Sequence, residues 1–381
     1  MKKSLLALAL LGAFTASAFA EPSVTLYGRI DTGLVYTHKN LDNTAGSTDT
    51  FSMDSGVTTG SRWGLKGSED IGNAKVGFVL ESGFNSDDGT SGQNNRLFGR
   101  EAQVNISGAY GTLYAGRLGS IASDNGTLGY LGDVSAFPSA YGFVGNQQGS
   151  TGTAYGRYDN TLAYETPTFG GLQGAIMYSF KGDATVSDSN PKEVANAREN
   201  SGDADRYLAA GLRYKAGKAA VVLTGDMTMY SNDVNNVYHD VDNGYSFILG
   251  GNYDFGVAKV FAKATYFDNQ VNVIDSFSLI KDARALSTPQ ALALKGWGAE
   301  LGTNVPAFGG NFLAAVGYRD AKDVDNGSYK FKRWNAAVGY SYAFSKRTSV
   351  YAAAGYAQEK SDAQDRKASA AQAGFGLVHK F

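Results

Sequence analysis

From residue 24 to residue 381 the chain alternates strictly between short turns and long polar links. The short ones fall at 68–73, 109–111, 167–171, 216–218, 254–256, 306–310 and 344–348. The long ones fall at 38–56, 85–95, 118–156, 182–204, 231–243, 268–294, 320–329 and 358–369. Seven short and eight long links make fifteen connections, hence sixteen strands. Few folds place all the short turns at one end and all the long links at the other. An antiparallel sheet closed on itself is one of them.

The segments between links carry the two-residue period of strands. In VTLYGRIDTGLVY, Val24, Leu26, Ile30, Leu34 and Tyr36 share one face, and Tyr27, Arg29 and Asp31 the other. Phe247, Leu249 and Tyr253 alternate with Ser246, Asn252 and Asp254. Trp334, Ala336, Val338, Tyr340 and Tyr342 alternate with Arg333, Asn335 and Ser341. Aromatics stand at the ends of the apolar stripes, where a membrane-spanning barrel places its interfacial girdles. The fold class predicted is therefore all-β, a sixteen-stranded antiparallel transmembrane β-barrel.

Composition supports this reading. The chain has 49 glycines, 23 tyrosines, 21 phenylalanines and only 6 prolines in 381 residues, a balance suited to many strands and tight turns. Cysteine is absent, so stability must come from closure of the hydrogen-bond ladder and from burial. The formal charge of −2 gives no basic excess to attract nucleic acid.

Residues 1–20, MKKSLLALALLGAFTASAFA, have the form of a secretory signal peptide. Two lysines precede an apolar run, and Ala18 and Ala20 provide the small-residue cleavage site before Glu21. Removing Lys2 and Lys3 brings the formal charge to −4. No later stretch approaches 18 continuous apolar residues, so no membrane helix is expected. Residues 21–381 show no linker or composition shift and read as one barrel domain.

The link at 118–156 is the exception to strand periodicity. It holds nine glycines and no sustained alternation. A loop of that length inside a compact domain calls for a function. Folding into the lumen would let it set the width of a pore. Tyr130, Phe137, Tyr141 and Phe143 in it are expected to pack against the barrel wall, because a loop held in a water-filled lumen must bury something.

Taken in order, VTLYGRIDTGLVY at 24–36, SRWGLKGSEDIGNAKVGFVLESGF at 61–84, FGREAQVNISGAYGTLYAGRLG at 98–119, RYDNTLAYETPTFGG at 157–171 and the terminal GFGLVHKF resemble the trimeric general porins of Gram-negative outer membranes. The resemblance implies short periplasmic turns, long extracellular loops and a third loop folded inward, here 118–156. It implies export to the bacterial outer membrane and passive diffusion of small hydrophilic solutes and ions. Its partners would be two further copies in a homotrimer, outer-membrane lipid and lipopolysaccharide, with no cofactor and no nucleic acid.

In that family basic wall residues face the inward loop at the constriction. The matching positions are Arg62, Arg100 and Arg157. Alternation puts Arg62 and Arg157 on the lumen face, and Tyr27, Arg29, Asp31, Lys66 and Asp159 with them. Arg100 instead shares parity with Ala102 and Val104, so a bulge or a strand buried between subunits would be needed. The inward loop contributes Asp124 and Asp133. Three arginines against two carboxylates leave a positive neck and a weak anion preference, since selectivity follows the local ring of charge.

Enzymatic chemistry finds little support. His38, His239 and His379 are widely separated and lack adjacent partners for a triad or a zinc site. DVDNG at 240–244 and at 323–327 places its glycine one position early for a calcium loop and lacks the later Glu, so turn chemistry explains both. Two other readings stay open: a substrate-specific anion or organic-acid channel, and an adhesin or structural barrel whose long loops bind a surface.

Overall fold

The computed structural model describes residues 23–40, 46–137, 156–183, 197–234, 240–271, 293–362 and 365–381. The signal peptide expected at 1–20, Tyr141, Phe143 and His239 lie outside these residues.

Seventeen strand segments form one antiparallel sheet. They are β1 (Ser23–Asn40), β2 (Ser47–Ser55), β3 (Arg62–Asp70), β4 (Ala74–Gly83), β5 (Glu101–Gly108), β6 (Gly111–Gly119), β7 (Arg157–Glu165), β8 (Leu172–Ser179) and β9 (Arg206–Ala216). The chain continues through β10 (Ala219–Met229), β11 (Gly244–Asp254), β12 (Lys259–Gln270), β13 (Leu294–Ala307), β14 (Gly310–Asp323), β15 (Lys330–Ala343), β16 (Thr348–Ser361) and β17 (Arg366–Lys380). β2 and β3 pair with successive halves of β1, Asn40 opposite Ser47 and Arg29 opposite Arg62. They are two pieces of one stave, so the barrel has sixteen. β1 pairs with β17 from Arg29–Lys380 to Asn40–Ser369 and closes it. Backbone bonds in both directions between Gly28 and Phe381, at 3.1 Å, finish the seam. Pairing β1 with β17 leaves no open edge at the seam, where in lipid each unsatisfied group would cost several kcal/mol.

The seven short turns lie where the sequence places them, at one end of the barrel. Several long links are shorter than expected. β1 and β2 continue as a hairpin through most of 38–56, and β14, β16 and β17 extend into 320–329 and 358–369. These stretches are polar because the strands outrun the apolar belt, not because the ladder stops. At 323–327 the Asp323 carboxylate accepts the amides of Asp325 and Asn326, as a turn requires.

The barrel is apolar outside. Val24, Leu249 and Val338 are more than half exposed, while Ser246, Glu300 and Arg333 face inward and are buried. On β15, Trp334 and Tyr342 mark the two rims of the apolar face. Eight residues make about 27 Å of strand, or about 20 Å along the axis at a tilt of about 40°. Trp334 pairs with Tyr356 at 5.1 Å between ring centres and Tyr342 with Phe344 at 5.3 Å.

Candidate functional site

After β6 the chain turns inside the barrel. Ile121, Ala122, Leu128, Tyr130, Leu131 and Val134 are buried against inward residues of β6 to β11, among them Ala163, Met177, Tyr207 and Ile248. Farther along, Ala136 and Phe137 pack against Phe261, Leu313, Ala337 and Tyr351. Tyr130 and Phe137 are thus wall-packing residues, with no exposed surface.

Four inward glycines make room for this path. A Cβ on Gly211 would lie 2.6 Å from Ile121, on Gly250 2.7 Å from Val134, on Gly302 2.6 Å from Ala136, and on Gly339 3.2 Å from Phe137. They stand on β9, β11, β13 and β15, every second stave along the track of the loop.

Polar contacts fix the loop along the same track. Tyr130 donates to Glu165 at 3.0 Å, and the Arg213 guanidinium lies over its ring at 4.4 Å. Burial, and then the Glu165 charge, raise the Tyr130 phenol above the ordinary tyrosine range, so it stays protonated. Ser120 meets Tyr207 at 2.6 Å, and Glu101 accepts both the amide and the hydroxyl of Thr127, at 2.8 and 3.0 Å.

The opposite side of the lumen is an arginine wall. Between β2 and β3 the segment 56–61 leaves the sheet and turns inward. Asp31 holds it: one carboxylate oxygen accepts the Thr58 amide (2.9 Å), the Thr58 hydroxyl (2.7 Å) and the Thr59 amide (2.8 Å). Thr59 Oγ1 in turn accepts from Arg29 (3.1 Å) and Arg62 (2.9 Å). Arg62 also donates to the Gly60 carbonyl at 3.0 Å. Glu81 receives Arg100 Nε at 2.6 Å, Tyr27 at 3.1 Å and Arg62 at 3.7 Å. Arg157 reaches across to the loop and donates to Asn125 at 3.0 Å. Arg29 and Arg62 share Thr59, and Arg62 and Arg100 share Glu81, so these guanidinium groups stand close together.

The parity difficulty at Arg100 has a simple resolution. β5 begins at Glu101, so Arg100 precedes the strand and alternation does not bind it; its side chain reaches inward to Glu81.

Three expected placements change. Asp31 points inward but is fully buried beneath Thr58 and Thr59, so it braces the wall and does not line water. Asp133 is on the inward loop, yet it pairs with Lys215 (2.7 Å) and Arg213 (3.7 Å) of β9. It secures the loop and does not oppose the arginines. Asp159 is not a lumen residue. The ladder shifts between Gly116 and Leu118, and Asn160 adopts φ 48°, so the faces exchange there. Tyr158 turns inward and stacks on Tyr207 at 3.7 Å. Asp159 instead meets Arg117 (2.6 Å) and Arg96 (2.8 Å); Arg117 sits opposite Ala102 on the outward side.

Of the other expected residues, Asp124 is half-buried on the loop beside Gly132, and Lys66 is exposed over the Tyr27 ring at 5.4 Å. Sequence reasoning left out Glu81. Its signal was present: it alternates with Leu80 on β4, and the register sets it opposite both Gly64 and Glu101. Also unremarked were Arg319, Arg333 and Glu359, which face one another across β14 to β16, fully buried, with Arg319 on Glu359 at 3.1 Å.

A closed sixteen-stave barrel, apolar outside and charged within, with a chain segment anchored in its lumen, defines an outer-membrane β-barrel channel. The model of the Gram-negative porin family matches residues 7–363. The chain belongs to that family and is an outer-membrane pore protein, not an enzyme. It is 34% identical to an outer membrane porin protein of Bordetella pertussis, over 100% of both chains. It is 30% identical to outer membrane porin protein 32 of Delftia acidovorans, over 92% of this chain and 88% of that one. Among solved structures it is similar to the anion-selective porin from Comamonas acidovorans, with a TM-score of 0.66 and 24% identity, covering 95% of this chain and 100% of the other.

Proposed function

We propose that this protein is a general diffusion pore for small hydrophilic solutes and ions, with a weak preference for anions set between the arginine wall and the inward loop. The observation that carries this is the balance of charge there. Arg29, Arg62, Arg100 and Arg157 gather there, and of the carboxylates near them Asp31 is fully buried beneath Thr58 and Thr59, Glu81 accepts from Arg100, and Glu101 accepts from Thr127 of the loop. The loop carboxylate Asp133 is spent on Arg213 and Lys215. In a narrow neck a local group of guanidinium charges weighs more than the slightly negative total charge. The relative from Comamonas acidovorans is described as anion-selective, which agrees with the reading.

The functional unit is a homotrimer seated in outer-membrane lipid and lipopolysaccharide. A porin-like neighbour from Vibrio cholerae, 14% identical with a TM-score of 0.60, is described in a trimer form. Planar-bilayer recording under a salt gradient tests both parts. Stepwise closure in threes and a reversal potential of the sign for faster anion flow are expected. A cation-selective sign would overturn the charge reading.

A further inference from the structure

On the outward face, at the end of the barrel bearing the long loops, cations stand directly opposite cations on neighbouring strands. Lys295 of β13 faces Lys322 of β14, which faces Lys330 of β15. One step nearer the belt, Lys332 of β15 faces Lys360 of β16, which faces Lys367 of β17. Their parity is that of Trp297, Tyr318, Trp334 and Tyr356, so all six project outward. Four of them, Lys322, Lys330, Lys360 and Lys367, are exposed.

Like charges directly across a ladder destabilise a sheet, and here four such pairs adjoin. The carboxylates around them are fewer: Asp320, 3.9 Å from Lys332; Asp362, 3.0 Å from Lys360; and Asp365, also near Lys360. Among the described residues, these six lysines outnumber the carboxylates that reach them. At the same rim of β10 to β12 the outward residues are Met227, Met229, Tyr245 and Asp268, with no cation among them.

Two further features lie in line beneath the lysines. The first is a shelf of aromatic pairs at the interface, Trp297–Tyr318 at 5.5 Å and Trp334–Tyr356 at 5.1 Å. The second is an apolar groove of about 530 Å³ deeper in the belt, floored by Ala352, Ala354 and Ala373 and walled by Phe312, Tyr340 and Phe375. Cations at headgroup height, aromatic rings at the interface and an apolar slot below match, level by level, a lipid with a phosphorylated headgroup and acyl chains.

We infer that the outward face of β13 to β17 is a specific site for a phosphorylated glycolipid of the outer leaflet, its phosphates held by Lys322, Lys332 and Lys360 and one acyl chain laid in the alanine-floored groove. This deepens the reading that the barrel sits in lipopolysaccharide-bearing membrane by naming the face and the residues. The lipid also supplies the negative charge that the opposed lysines lack.

The test is native mass spectrometry of the folded full-length protein titrated with diphosphoryl lipid A. Three variants are compared: wild type, the triple K322Q/K332Q/K360Q, and the control triple K75Q/K218Q/K346Q at the short-turn end. Heat-modifiable gel mobility confirms that each is folded. Saturable lipid binding is expected for wild type and control. The rim triple should weaken it by about fivefold per lysine, roughly a hundredfold in all. Monophosphoryl lipid A should fall between.

Equal affinity of the two triples would overturn the proposal. So would displacement of the lipid by millimolar inorganic phosphate, which would mean a free-anion site. A rim triple that loses its oligomeric state while binding lipid normally would assign the face to a second copy of the chain, and would overturn it too. Single-channel steps of the wild type are recorded separately, so failure of the lipid site and failure of the pore reading remain distinguishable.

Discussion

The Tyr351 hydroxyl donates to Asp31 at 2.7 Å, joining residues 320 positions apart across the seam where the barrel closes. The same carboxylate holds Thr58 and Thr59, and Thr59 holds Arg29 and Arg62. Closure of the sheet and placement of the neck charges therefore share one buried side chain.

Replacing Tyr351 with Phe should remove one bond to a buried charge and cost about 1.5–3 kcal/mol of stability. D31A should cost more, because it strands the Thr58 and Thr59 donors. It should also loosen Arg62 and broaden the single-channel conductance distribution. Urea unfolding followed by gel mobility measures the first effect. Bilayer recording measures the second, and unchanged conductance in a folded D31A would show that the Thr58–Thr59 segment does not position the arginines.

Charge changes at the wall should move selectivity in opposite directions. R62Q should lower the anion-to-cation permeability ratio, and E81Q should raise it. The expected size is about twofold to fivefold each, with the upper end set by about 1 kcal/mol for a unit charge at 4 Å in water. Reversal potentials in a salt gradient report both. A shift of the same sign in the two variants would contradict the local-ring account.

The glycine track predicts that added side chains displace the loop. G250V and G302V would intrude on Val134 and Ala136 and push that part of the loop from the wall toward the arginines. Conductance should fall, and overpacking should cost about 1–3 kcal/mol. G327A, where a Cβ has nothing nearer than 3.9 Å, is the control.

Alkaline pH offers a fourth check. Burial beside Glu165 raises the Tyr130 phenol, so the folded loop holds its proton more tightly than the unfolded chain does. Its contribution is fully present below the ordinary tyrosine pKa, about 10, and declines as pH rises above that value. Conductance noise from a loosened loop should therefore set in above about pH 10. In Y130F that component should vanish, at a cost of about 1.5–3 kcal/mol at neutral pH for the lost bond to the Glu165 carboxylate.

Much of this architecture is legible in the chain. The two-residue period, the aromatic ends of the stripes and the alternation of turns follow from local constraints: side chains on a strand point to alternate sides, and a lipid-facing surface must be apolar. Those constraints act within ten residues, so strand number, turn positions and the odd loop at 118–156 can be read directly. Arg62 stands on the face to which alternation assigns it, beside Thr59 and Glu81.

It fails where the ladder is irregular. Asp159 exchanges faces because Asn160 and the Gly116–Leu118 shift insert half a period, and nothing in RYDNT announces it. Arg100 escapes parity because its strand starts one residue later. Asp133 carries the charge expected of a neck residue, but only the packed loop shows that it meets Lys215 and not Arg62.

The sequence by itself determined a membrane-spanning, closed, all-β barrel with one aberrant loop, because hydrophobic period and turn spacing are local properties. The tertiary structure decided the rest: which wall the loop lies on, which four glycines admit it, that Glu81 stands among the arginines, and that six lysines line up on one outer sector. Each of these depends on the register between strands distant in sequence, a property of the closed ladder and not of any segment alone.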